Sequence, residues 1–246
     1  MTTMSDSNDL SEADFLATYD PASFAGPLLT VDAALFTYHE GCLKALVVKR
    51  TQHPEQGKWS LPGGFVDLAS DRTLEDTVRR VVNQKTGVAP PYLEQLASYG
   101  NARRDKRGWA VTVCYTALMA YQDCRAYLEN AMDACWSDVA TLAKRPLAFD
   151  HKQLLKEARE RMRQKALYSI VPAYALPELF TLPELQELHE VLIGKPLQKK
   201  SFRRRIEQAN LIEDSGEKRT DIGRPATLYR VKSSARDFRF VRNLEA

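Results

Sequence analysis

The chain has no run of about 18 apolar residues, so it offers no candidate transmembrane helix. Met1 to Asp14 is polar and acidic, without the basic flank or apolar centre of a secretory leader. Cysteine is scarce. Cys42, Cys114, Cys124 and Cys135 form no Cys-x-x-Cys pair and have no histidine at zinc-ligand spacing. Such usage fits a cytoplasmic protein whose thiols act as small hydrophobes, with no metal expected. His39, His53, His151 and His189 are scattered, and no chemistry is assigned to them. Internal repeats and low-complexity tracts are also missing.

What is present is ordinary in amount and uneven in placement. The 246 residues give room for two modest domains, and 44% hydrophobic with 27% charged residues excludes global disorder. The formal charge of +3 conceals an asymmetry: residues 1–150 carry 15 Lys/Arg against 19 Asp/Glu, residues 151–246 carry 20 against 13. An acidic front and a basic back suggest modules with different partners; solvated helix faces are the alternative.

Residues 1–26 read as a polar arm with weak helical character near Leu10 to Ala17. Leu29 to Phe36 and Leu43 to Val48, apolar and partly β-branched, flank Glu40-Gly41 and predict a hairpin. A helix is predicted over Thr73 to Thr86, stopped by Gly87 and Pro90-Pro91. Strands are expected at Leu93 to Gly100 and Trp109 to Ala120, and a helix at Asp150 to Tyr168, where Leu154, Leu155, Ala158 and Met162 recur at helical spacing. Pro172 to Pro177 reads as a junction.

Before the first of these helices stands Trp59-Ser60-Leu61-Pro62-Gly63-Gly64-Phe65-Val66. A Gly-Gly turn at that place can present backbone amides to a diphosphate, although alone it is more often structural. The order Gly63-Gly64-Phe65-Val66-Asp67, Leu74-Glu75, Arg80, Lys85-Thr86-Gly87-Val88 resembles the box of the Nudix family, and the resemblance spans about residues 28–160. It implies a mixed α/β sheet sandwiched by helices. The departures are as informative. The family's helix carries carboxylates at positions matching 81, 84 and 85, one helical face that holds a divalent metal against a diphosphate. This chain has Val81, Gln84 and Lys85 there, and its loop is two residues longer. Loss of the metal-assisted hydrolysis is expected, with a ligand-sensing pocket retained. Asp71, Glu75 and Asp76 are expected as favourable charge at a helix N-terminus. A divergent hydrolase drawing metal ligands from Asp71, Glu75 or Glu94 is the alternative.

The basic loop Arg103-Arg104-Asp105-Lys106-Arg107-Gly108-Trp109 supports nucleotide binding, because guanidinium groups fork onto phosphate oxygens. In Nudix enzymes acting on ADP-ribose, a similar Asp-x-Arg-Gly segment precedes a strand near the ligand; a solvated loop with an inward tryptophan is the other reading. The candidate ligand-binding residues are Arg50, Trp59, Gly63, Gly64, Phe65, Arg103, Asp105, Arg107 and Trp109, with no catalytic residue.

Thr181-Leu182-Pro183-Glu184 reads as an N-cap, a first-turn proline and a capping-box glutamate. Leu185, Leu188, Val191 and Leu192 form an apolar stripe ending at Gly194. After Lys195-Pro196 a second helix is expected over Gln198 to Asn210, with Phe202, Ile206 and Ala209 inward. No acid occurs between Glu190 and Glu207. A cationic helix after a tight turn fits a DNA major groove. Two strands follow, around Leu211 to Glu213 and Ala226 to Val231, with Gly223-Arg224-Pro225 as a basic wing tip. The candidate DNA-binding residues are Lys199, Lys200, Ser201, Arg203, Arg204, Arg205, Arg224, Thr227 and Tyr229; a helical dimerisation module is the alternative.

The whole pattern resembles the NrtR-like family of Nudix-related transcriptional regulators of bacterial NAD metabolism. Phe180-Thr-Leu-Pro-Glu-Leu-Gln186, Ser201-Phe-Arg-Arg-Arg205 and Gly223-Arg-Pro-Ala-Thr-Leu-Tyr-Arg230 carry that likeness beside the degenerate box. The resemblance implies an arm (1–26), a degenerate Nudix effector-binding domain (27–168) and a winged helix-turn-helix DNA-binding domain (169–246). It also implies a homodimeric repressor of NAD biosynthesis or salvage genes, with operator DNA as partner, and ADP-ribose or a related NAD derivative as effector.

Overall fold

Residues 28–49 fold as the expected hairpin, β1 (Leu28–His39) antiparallel to β2 (Cys42–Lys49). The turn holds Glu40 and Gly41 at positive φ, 52° and 73°. In this computed structural model the described residues are 11–20, 23, 26–220, 225–235, 240 and 244. Helix α1 (Glu12–Thr18) buries no residue, in keeping with a polar arm.

Every residue of β1 from Val31 to Thr37 is buried, because helices cover both faces of the sheet. Val31, Ala33 and Leu35 pack against Val78, Val81 and Val82 of α2 (Leu74–Thr86). Ala34 and Phe36 join the opposite core with Leu154, Leu155 and Ala158 of α5 (His151–Tyr168). The strand order is β3 (Trp59–Ser60), β2, β1, β6 (Ala110–Leu118), β5 (Tyr92–Asn101), with β4 (Gly63–Phe65) pairing β1 and β7 (Ala134–Asp138) pairing β2. β1 runs parallel to β6 and antiparallel to β2 and β4, so the sheet is mixed. α3 (Tyr121–Glu129), β7 and α4 (Val139–Leu142) have no counterpart in the sequence reading.

Thr73 caps α2 in a capping box with Asp76, and Gly87 ends it in the left-handed conformation (φ 73°). α6 (Leu182–Ile193) repeats the device with Thr181 and Glu184, and Gly194 follows at φ 83°. α7 (Lys199–Ala209) buries Phe202 and Ile206 as expected. β8 (Ile212–Arg219) and β9 (Ala226–Val231) form an antiparallel pair, and Phe180 exchanges two backbone hydrogen bonds with Tyr229 (3.0 and 2.7 Å). These elements make a winged helix-turn-helix.

The junction expected at Pro172 to Pro177 is not an exposed linker. Val171, Pro172, Ala173 and Ala175 lie buried in a 3-10 turn, inside one core that runs from Phe36 through Ile170 and Leu185 to Phe202. The cause is composition: Ile170-Val171-Pro172-Ala173-Tyr174-Ala175-Leu176 offers water no charged group. His189, fully buried on α6, bonds through Nδ1 to the Ala166 carbonyl of α5 (2.9 Å), and its ring lies 5.4 Å from that of Phe202. Burial pushes its pKa down to about 4, so a neutral imidazole donates that bond.

Candidate functional site

The cleft begins where β4 presses against β1. A Cβ on Gly63 would lie 2.0 Å from Asp32 Oδ1 and 2.9 Å from the Val31 carbonyl oxygen, so only glycine permits the approach. One on Gly64 would meet Val81 Cγ2 at 3.0 Å. The Gly-Gly backbone therefore forms one wall of a cleft of about 310 Å3.

Behind that wall lies a buried ionic cluster. Arg104, its side chain 4% exposed, donates to Asp150 (3.0 and 3.1 Å) and lies 3.4 Å from Asp32. His151 Nδ1 accepts a hydrogen bond from the Leu61 amide (2.9 Å), and its Nε2 stands 3.5 Å from Asp32 Oδ1. Burial holds the His151 pKa below its ordinary value, leaving a neutral ring whose proton sits on Nε2, toward Asp32. At the cleft rim Arg107 grips Asp105 (2.6 to 3.2 Å), and these hydrogen bonds hold the Asp105 carboxyl below the usual range. The Arg107 guanidinium also lies 5.0 Å from the Phe65 ring centre, and that of Arg50 lies 4.6 Å from the Phe149 ring centre.

Of the nine candidate ligand-binding residues, Arg50, Gly63, Gly64, Phe65, Asp105 and Arg107 line the cleft, and Trp59, Arg103 and Trp109 do not. Trp59 borders a separate small cavity with Leu142 and Leu147. Trp109 is half exposed and leans on Gly100, where a Cβ would stand 3.1 Å from its ring. Arg103 is exposed, its amide donating to Asn101 Oδ1 (2.7 Å). The sequence reading missed Asp32, Phe149 and His151, and named Arg104 only as part of the basic loop. A lone aspartate within an apolar strand was the available signal for Asp32.

The residues at the box positions offer no carboxylate. Val81 is buried beneath Gly64, Gln84 is exposed, and Lys85 Nζ pairs with Asp133 at 2.9 Å. The alternative ligands are engaged elsewhere. Asp71 is held by Arg80 (2.6 and 2.8 Å), which keeps its carboxyl well below the usual range. Glu75 lies 3.8 Å from Arg79, and Glu94 pairs with Arg161 (3.0 Å) and Lys165 (2.9 Å). Among the described residues no three ligating side chains gather into a metal-binding group. Asp76 serves the helix N-terminus as expected, whereas Asp71 anchors the loop to α2 instead.

The second surface is α7 and the wing. Lys199, Lys200 and Arg204 are exposed, while Ser201, Arg203 and Arg205 are half-buried along the same helix. Gln198 caps it, accepting from the Ser201 amide. Thr227 and Tyr229 lie on β9, partly buried. Arg224 falls outside the described residues. The Arg219–Glu184 ion pair ties the wing to the start of α6.

A family model described as the NrtR DNA-binding winged helix domain matches residues 172–231, and the NUDIX domain model matches residues 27–158. An Acinetobacter baylyi protein described as the ADPR responsive transcriptional repressor NtrR is 42% identical over 238 residues, 97% of this chain and 95% of its own. The crystal structure of Shewanella oneidensis NrtR complexed with a 27mer DNA shares 59% identity and superposes with a TM-score of 0.86, covering 88% of this chain and 99% of that one. The NUDIX domain of the same Shewanella protein, complexed with ADP ribose, shares 55% identity with a TM-score of 0.58, over 62% of this chain and 99% of that one.

Proposed function

Because the chain belongs to the NrtR family, which joins a Nudix domain to a C-terminal winged helix, we propose that it is a transcriptional repressor relieved by ADP-ribose. The carrying observation is one cleft lined by a Gly-Gly backbone, Arg50 and Arg107, while the box positions hold Val81, Gln84 and Lys85. Such a site can grip a diphosphate and has no means to cleave it through a metal held on α2. Operator DNA is engaged by α7 and the wing, in a homodimer whose two recognition helices meet half-sites about one helical turn (roughly 34–36 Å) apart. Genes of NAD biosynthesis or salvage are the targets that suit a NAD-derived effector.

ADP-ribose and DNA must favour different arrangements of the chain, and the coupling must be reciprocal. ADP-ribose is expected to lower operator affinity by about 5–150-fold, the range of ordinary allosteric couplings. Fluorescence anisotropy with the promoter DNA of its own gene, with and without ADP-ribose, tests this. Arg107→Ala is expected to blunt the response and to leave ligand-free DNA binding unchanged, since Arg107 lies at the cleft and far along the chain from α7. An equal response in both proteins removes Arg107 from the site, and no response in the wild type removes ADP-ribose as the signal.

Hydrolysis is expected to be absent. With magnesium or manganese, turnover of ADP-ribose is expected to stay far below about 1 per second, the low end of ordinary enzyme rates. Product release followed by phosphate assay after phosphatase treatment measures it, and turnover near that rate restores the divergent-hydrolase reading.

A further inference from the structure

We propose that Lys85 is the cleft's built-in substitute for a divalent cation, its ammonium leaving Asp133 to neutralise a phosphate of the bound nucleoside diphosphate. The proposal rests on the ligand class inferred above and adds the residue that makes binding independent of metal.

Position comes first. Lys85 stands one helical turn beyond Val81, the residue on which Gly64 rests, so both belong to the face of α2 turned toward the Gly-Gly wall. Lys85 and Asp133 both line the cleft. A nucleoside diphosphate against that wall carries about one negative charge on each linking phosphate, which a site with no metal cluster must balance from its own side chains.

Of the other cations of the cleft, Lys49 is exposed at the end of β2, and the three arginines are less free to do so. Arg104 is buried between Asp32 and Asp150, and removing it from them would strand two carboxylates. Arg107 is doubly bonded to Asp105. Arg50 is spread over Phe149 and donates through Nε to the Pro54 carbonyl (2.8 Å), which leaves its outer nitrogens for one phosphate. Lys85 differs because its ion pair is half exposed, the side chains of Lys85 and Asp133 being 36% and 40% accessible. Such a pair is held weakly, and Asp133 can return to water when its partner leaves. A compact ammonium on a flexible stem also suits an exchange of partner, since it imposes no fork geometry. The same charge repels magnesium from the place where the related enzymes hold it.

Titration calorimetry with ADP-ribose, in EDTA and again with magnesium chloride, tests the proposal on the full chain. The wild type is expected to bind equally in both. Lys85→Met is expected to weaken binding about 10–100-fold, the range for losing one charge-assisted hydrogen bond. Asp133→Asn, which frees Lys85 and removes a competing carboxylate, is expected to strengthen binding severalfold. Both sites are half exposed, and thermal melts alongside establish that the variants fold. Wild-type binding that rises severalfold with magnesium, or Lys85→Met binding like the wild type, overturns the proposal and leaves the ADP-ribose reading standing. Absence of wild-type binding in either buffer overturns both.

Discussion

Replacing Lys199, Lys200 and Arg204 together with alanine is expected to lower operator affinity about 100-fold for each recognition helix of the proposed dimer at physiological salt, and to flatten its salt dependence by nearly three units per helix. Each phosphate contact releases about 0.9 counterion equivalents, so at about 0.15 M salt each is worth roughly fivefold, and three multiply to about that figure. These three side chains are the exposed cations of α7, while the residues that seat the helix, Phe202 and Ile206, are untouched. The fold is therefore expected to survive with an unchanged melting temperature. A base-reading arginine behaves differently: its loss relaxes specificity at one position, at about 1–3 kcal/mol. Anisotropy titrations at several salt concentrations, on operator and scrambled DNA, separate the two cases. Unchanged binding in the triple variant would show that α7 is not the recognition helix.

The second large effect is on stability. Arg104→Met is expected to cost about 3–5 kcal/mol, because it leaves the carboxylate of Asp32 buried beside Asp150 without a counter-charge. For a chain of this size that corresponds to a fall in Tm of roughly 6–20 °C. Scanning calorimetry measures it. Adding Asp32→Asn to the same chain is expected to restore part of the loss, since a neutral amide at that place no longer needs the guanidinium. A loss under about 1 kcal/mol would mean that water screens the cluster, contrary to the 4% and 7% exposure of the two side chains.

Local signals of the chain were readable from the sequence wherever one segment carried its own evidence. Thr73 and Thr181 announced helix starts, Gly87 and Gly194 announced helix ends, and the apolar, β-branched runs flanking Glu40-Gly41 announced the hairpin, all of which the structure contains. α3 and β7 went unread because their partners lie far away: β7 is a strand by virtue of pairing with Lys44 to Val48 of β2, a contact that leaves little trace in Ala134 to Asp138 itself. The site divides along the same line. Gly63, Gly64 and Arg107 belong to contiguous motifs, whereas Asp32, Arg104 and His151 meet only because β1, the loop after β5 and the start of α5 converge. Trp109 stands outside the cleft, half exposed against Gly100, a placement that its position beside a basic loop did not announce.

Helix α5 begins at His151 in the cleft and bonds through Ala166 to His189, which in turn packs on Phe202 of α7. Seen mechanically, it is a lever. From His151 to Ala166 it measures about 22 Å at 1.5 Å per residue, so a tilt of roughly 5° at the cleft end would carry the far end about 2 Å. With the junction packed solid, such travel would meet no slack hinge before the seat of α7. For a dimer clamped on a rigid duplex, a stroke of this size at each arm changes the span between two grooves.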